Sequence, residues 1–144
     1  MLYFAYGSNL WRRQMNTRCP EQCEIGAGRL KGWRWLITSR GYASIVRSEP
    51  DYVLGTVYEL SESDVSSLDR FEGVDRGDYR KEWITVEVDG RHLGCQVYID
   101  PVVEEGKPKD EYMERINNGI RDAGLADDYI VRYLRPFVPA GSLE

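Results

Sequence analysis

The residues of this 144-residue chain best suited to chemistry gather at a few points. One is Tyr6-Gly7-Ser8-Asn9, where an apolar run from Leu2 to Tyr6 meets a glycine and two small polar residues, followed by Leu10-Trp11-Arg12-Arg13-Gln14-Met15. That pattern predicts a strand, a tight turn and a helix start, with Ser8 or Asn9 as the cap. Gly7 lets the backbone turn and lets a ligand come close. Amides left open at the positive end of a helix suit a carboxylate or phosphate. A plain helix cap accounts for the same residues. A second point is Glu72, in the last turn of a predicted helix, where the negative end of the helix dipole and Asp69 both disfavour ionisation and Phe71 and Val74 add apolar bulk. A raised pKa follows, the condition for exchanging protons near neutral pH. A surface glutamate preceding a capping glycine, Gly73, is the plainer reading.

Other side chains compete for these roles. Glu82 and Glu87 lie on a predicted strand and can point either way. Tyr112, on an apolar helical stripe, and Tyr79, after Arg76-Gly77-Asp78, fit both core packing and a site. Ser8 as an acyl-transfer nucleophile would need a base, and His92 is the one histidine in the chain, beside an Asp89-Gly90 turn. Cys19, Cys23 and Cys95 are odd in number and lack zinc-knuckle spacing, so reduced thiols and no metal centre are expected. Glycine-rich nucleotide loops and His-Glu-x-x-His are absent.

The elements that must hold these groups follow from periodicity and punctuation. Cys23–Leu30 and Trp33–Thr38, interrupted at Lys31-Gly32, read as two strands or one bent one. A short strand around 43–46, a turn at Glu49-Pro50-Asp51 and a strand from Val53 to Leu60 come next, Gly55 marking a bend or close backbone contact. Ser61 caps a helix that Gly73 ends. Tyr79–Val88 and Leu93–Ile99 form a hairpin through Asp89-Gly90. Helices over about 110–123 and 126–135 close the chain, the latter stopped by Pro136. About six or seven strands with few helices predict an α+β fold, a small mixed β-barrel with flanking helices, as a single domain over 1–144.

Composition narrows the class. Hydrophobic content of 42% with 12% aromatic residues is ample for a core. Net charge is −5 and the 19 lysines and arginines form no basic run, which argues against nucleic acid. The N-terminal apolar run is too short for a signal peptide or membrane span, so a soluble, cytoplasmic protein is expected, as monomer or homodimer.

Several motifs, taken together, carry a resemblance. Tyr3-Phe4-Ala5-Tyr6-Gly7-Ser8-Asn9-Leu10 is similar to the opening signature of the γ-glutamylcyclotransferase family. Gly55-Thr56-Val57-Tyr58-Glu59-Leu60, Leu68-Asp69-Arg70-Phe71-Glu72-Gly73-Val74 and Tyr79-Arg80-Lys81 follow in the family's order, and Pro108, Tyr112, Ile116 and Gly124-Leu125 resemble its closing helices. The resemblance implies a mixed β-barrel with flanking helices and an enzyme that releases 5-oxoproline from a small γ-glutamyl substrate without metal or organic cofactor. It also implies a substrate-holding loop over Tyr3, Phe4, Ala5, Tyr6, Gly7 and Ser8, Glu72 as acid/base, and Tyr112 as a further substrate contact. A rival of another class is a non-catalytic module that uses the Tyr6-Gly7-Ser8-Asn9 turn to bind a small carboxylate.

Overall fold

A computed structural model describes residues 1–141. Five strands close into a barrel: β1 (Leu2–Ala5), β2 (Cys23–Ile37), β3 (Ala43–Glu59), β4 (Arg80–Val88) and β5 (Arg91–Ile99), in spatial order β1-β3-β2-β4-β5. Neighbours are antiparallel except β1 and β5, which meet in parallel at Tyr3 and Gln96 and complete the ring. The expected mixed barrel is therefore present with fewer strands. Two long strands each take in what the sequence presents as separate pieces.

The reason lies in the β2/β3 register. Tyr52 opposes Lys31 and Arg47 opposes Trp33, so the β3 residues between 47 and 52 bulge out against Gly32, whose φ is 87°. Pro50 falls in that bulge, where its missing amide costs no ladder hydrogen bond. Gly55 meets the close contact expected of it, since a Cβ there would overlap the Ala5 carbonyl oxygen and lie 2.9 Å from the Phe4 ring. The β4–β5 turn puts Asp89 (φ 50°) and Gly90 (φ 76°) in the left-handed region, as an Asp-Gly hairpin turn requires.

Alternation along β1 divides the core. Phe4 points into the barrel with Trp35, Val57, Val86 and Val97, all 5% exposed or less. Tyr3 and Ala5 face outward under a second cluster with Leu10, Met15, Tyr58 and Leu68. That second cluster seats two helices, α1 (Arg12–Arg18) and α2 (Glu62–Phe71). They are clasped together where the Ser67 hydroxyl donates to the Arg18 carbonyl (2.7 Å) and the Cys19 thiol to the Asp64 carbonyl (3.6 Å). Helix α3 (Asp110–Ala123) packs its Tyr112-Ile116-Ile120 stripe on the barrel and ends at Gly124, whose φ is 61°. The last helix, α4, is a single turn (Asp127–Tyr129) that runs on as a π-helical stretch, Ile130–Leu134. No helix among the described residues is long and apolar enough to cross a membrane.

Candidate functional site

A pocket of about 360 Å³ opens where β1 gives way to the Gly7-Ser8-Asn9 turn. Tyr3, Tyr6, Tyr79, Tyr98 and Tyr112 line it, and Glu72 and Arg18 reach it from the ends of their helices. It thus unites most of the residues singled out in the sequence. Phe4 and Ala5 do not line it. Both are fully buried, and their part is to hold Tyr3 and Tyr6 in register along β1.

The turn differs from the expected helix cap. The chain makes one 3-10 turn over Ser8–Leu10, runs extended at Trp11, and starts α1 at Arg12, whose amide donates to Asp122 Oδ2 (2.8 Å). Ser8 and Asn9 cannot cap because their side chains are engaged elsewhere. Gln14 Nε2 donates both to Ser8 Oγ (2.8 Å) and to Asn9 Oδ1 (2.9 Å). Arg18 also donates to Asn9 Oδ1 (3.1 Å), and Asn9 Nδ2 donates to the Tyr3 hydroxyl (2.9 Å). The dipole of a seven-residue α1 adds little here, so any anion would be held by the amides of the turn itself. Turn hydrogen bonding begins only with Leu10 donating to the Gly7 carbonyl and Trp11 to that of Ser8. Gly7 is needed for space: a Cβ would stand 3.1 Å from that of Ala43 and 3.3 Å from the Tyr112 hydroxyl.

Two tyrosines brace the wall facing this turn. The Tyr112 hydroxyl accepts from the Ala43 amide (3.2 Å), and the Tyr79 hydroxyl donates to the Ala43 carbonyl (2.8 Å). Tyr112 therefore keeps its own proton to donate. Burial pushes its hydroxyl up to about 12, so it stays protonated at neutral pH. Tyr79, ambiguous in the sequence, belongs to the site.

Glu72 owes its place to the way α2 ends. Ser61 caps the helix as expected, accepting from the Asp64 amide (3.1 Å). Its last turn is tied to the barrel by Asp69, which accepts from the Tyr98 hydroxyl (2.6 Å) and pairs with Lys81 (3.0 Å). Gly73, in the left-handed region at φ 64°, then turns the chain sharply, leaving Glu72 part-buried and facing the pocket. Burial pushes its carboxyl from 4.5 up to about 7, against the pull of the Arg18 guanidinium. The raised value was expected, but on other grounds. Asp69 is engaged with Tyr98 and Lys81, and Phe71 is no apolar cover for Glu72: the residue is 54% exposed, with the Arg18 guanidinium 4.6 Å from the centre of its ring.

The competing carboxylates stand elsewhere. Glu82 pairs with Arg80 (2.7 Å), while Glu87 opposes an exposed His92 near the hairpin turn. His92 does not line the pocket, and Ser8 accepts from Gln14, so nothing here activates Ser8 as a nucleophile. Among the described residues no group of His, Cys, Asp and Glu side chains is arranged to hold a metal. Sequence reasoning missed the charged rim. Arg40 joins Asp100 (3.0 Å) and Asp78 (3.6 Å), and Arg115 joins Glu111 (2.9 Å). These arginines come from separate elements, and no local spacing marks them.

Comparison with known proteins agrees with this geometry. Residues 3–116 match the family model described as gamma-glutamyl cyclotransferase, AIG2-like. The chain is 32% identical over 142 residues to the gamma-glutamylcyclotransferase of Mus musculus, covering 89% of this chain and 74% of the mouse protein. Identity to the Bos taurus gamma-glutamylcyclotransferase is 33% over 139 residues, with the same coverage. A solved gamma-glutamyl cyclotransferase superposes with a TM-score of 0.86 at 27% identity, over 99% of this chain and 90% of the other.

Proposed function

Because the chain belongs to the gamma-glutamyl cyclotransferase, AIG2-like family, we propose that it releases 5-oxoproline from a γ-glutamyl amino acid, peptide or amine, with Glu72 as general acid/base. The observation that carries the residue assignment is that Glu72 and the Gly7-Ser8 turn line one pocket, with burial holding the Glu72 carboxyl at about 7.

In this reading the substrate α-carboxylate rests on the amides of the Gly7-Ser8 turn, with Tyr3, Tyr6 and Tyr112 packed around the glutamyl chain. Anchored there, the α-amine stands beside its own γ-carbonyl carbon. Ring closure is intramolecular, and alignment of this kind contributes up to about 7 kcal/mol. The neutral amine attacks, and Glu72 takes a proton from its nitrogen. The same proton passes to the leaving nitrogen as the amide C–N bond breaks and the carbonyl re-forms. 5-Oxoproline and a free amine result, and no enzyme nucleophile takes part. A group near 7 is suited to both transfers, since it is ionised often enough to accept a proton and acidic enough to return it. Amides of the loop also polarise the γ-carbonyl oxygen as charge develops on it.

A carboxylate-binding module without catalysis would have no need for Glu72 to face Gly7 and Ser8. Their common pocket favours the enzyme. The test is 5-oxoproline release from γ-glutamyl-alanine, γ-glutamyl-ε-lysine and glutathione. Release from at least one supports the reading. Release from none, with 5-oxoproline still bound, would move it to the binding module.

A further inference from the structure

The rim of the pocket contains one cation without a carboxylate partner among the described residues. Arg40 and Arg115 are paired as above, and Arg76 is joined to Asp78 (3.0 Å). Arg18 forms no ion pair with any described residue. Its Nη1 donates to Asn9 Oδ1, its guanidinium carbon lies 4.6 Å from the centre of the Phe71 ring, and its other donors make no hydrogen bond to a described residue. A guanidinium has five N–H donors in a planar fork that matches a carboxylate, so most of its binding capacity is unused. The side chain is well fixed. Asn9 holds one corner, the Phe71 ring supports one face, and the Arg18 carbonyl is tied to Ser67.

Position follows from the chemistry of the leaving group, and so rests on the reading above. If Glu72 returns a proton to the leaving nitrogen, that nitrogen must be within reach of the carboxyl. In an α-amino acid the carboxylate is two bonds from the nitrogen, so it must also lie beside Glu72. Two arginines stand there: Arg76, against Gly73 and paired with Asp78, and Arg18, which has no carboxylate partner among the described residues and lies over Phe71, the residue before Glu72.

We propose that Arg18 is a specificity-determining residue that receives the carboxylate of the departing amino acid and so favours substrates in which that carboxylate is free. γ-Glutamylamines lack the group. In γ-glutamyl tripeptides it is consumed in the next peptide bond, and in γ-glutamyl-ε-lysine it lies several carbons away.

The experiment compares 5-oxoproline release from γ-glutamyl-alanine and from γ-glutamyl-alaninamide by wild type, Arg18→Gln and Arg18→Lys. The quantity read is the ratio of the two kcat/KM values. Any change Arg18 imposes on Glu72 acts on both substrates and cancels. Wild type is expected to prefer the free acid by about tenfold or more, a preference that Arg18→Gln abolishes and Arg18→Lys partly keeps. A wild-type ratio near one overturns the proposal, as does Arg18→Gln lowering both rates equally, which would mean that Arg18 holds the glutamyl end. In both cases cyclotransfer itself stands. Release by wild type from γ-glutamyl-ε-lysine or glutathione but from neither alanine compound would overturn this proposal alone, and release from none of the four would overturn the functional reading with it.

Discussion

Replacing Glu72 by Gln separates its chemical role from its structural cost. Burial holds the folded carboxyl near 7 rather than 4.5, so the folded chain binds this proton more tightly than the unfolded one. The favourable contribution is complete below about 4.5 and disappears as pH rises through about 7. The interval corresponds to about 3 kcal/mol at full ionisation. At about pH 8 the carboxylate therefore costs the folded state close to that amount, while at about pH 5 it costs under about 1 kcal/mol. Glutamine has the same shape and no charge. Glu72→Gln should therefore be more stable than wild type at about pH 8 by up to about 3 kcal/mol, with the gain shrinking to under about 1 kcal/mol at about pH 5. Urea unfolding followed by tryptophan fluorescence at the two pH values measures this directly. A gain independent of pH, or a variant destabilised equally at both, would refute the claim that burial of an ionisable carboxyl sets the value.

Gly7→Ala must press its methyl group against Ala43 and the Tyr112 hydroxyl, displacing the turn by a few tenths of an ångström. Steady-state kinetics should give a KM raised by about tenfold and a lowered kcat, with a stability loss of about 1 kcal/mol. Gly55→Ala is expected to act on the fold, because its methyl group would overlap the Ala5 carbonyl where β1 pairs with β3. A loss of about 3 kcal/mol or more in urea unfolding is expected, and a loss under about 1 kcal/mol would show that the pair can spread.

Much of the fold was legible wherever a local rule applied unopposed. The Ser61 cap, the left-handed Gly73, the Asp89-Gly90 turn and the Tyr112-Ile116-Ile120 stripe are decided within a few residues, and each is observed. The strand count was misread because Pro50 is a breaker only where a ladder needs its amide, and the bulge opposite Gly32 has no such need. Register across a sheet is a long-range property, and composition does not encode it locally. At the site, the turn and Glu72 were visible, while the capping role of Ser8 and Asn9 gave way to the Gln14 and Arg18 hydrogen bonds. The arginine rim stayed hidden for the same long-range reason. Arg18, Arg40 and Arg115 become neighbours only once α1, α3 and the β2–β3 connection converge on one pocket.

The central claim is that Glu72 carries the proton from the attacking to the leaving nitrogen. Its most direct test is kcat/KM for 5-oxoproline release by wild type and Glu72→Gln from about pH 5.5 to about pH 8.5. Wild type should rise with pH through about 7 as the carboxyl ionises, and the variant should lose at least about 100-fold while still binding 5-oxoproline. Turnover by Glu72→Gln at the wild-type rate would contradict the account.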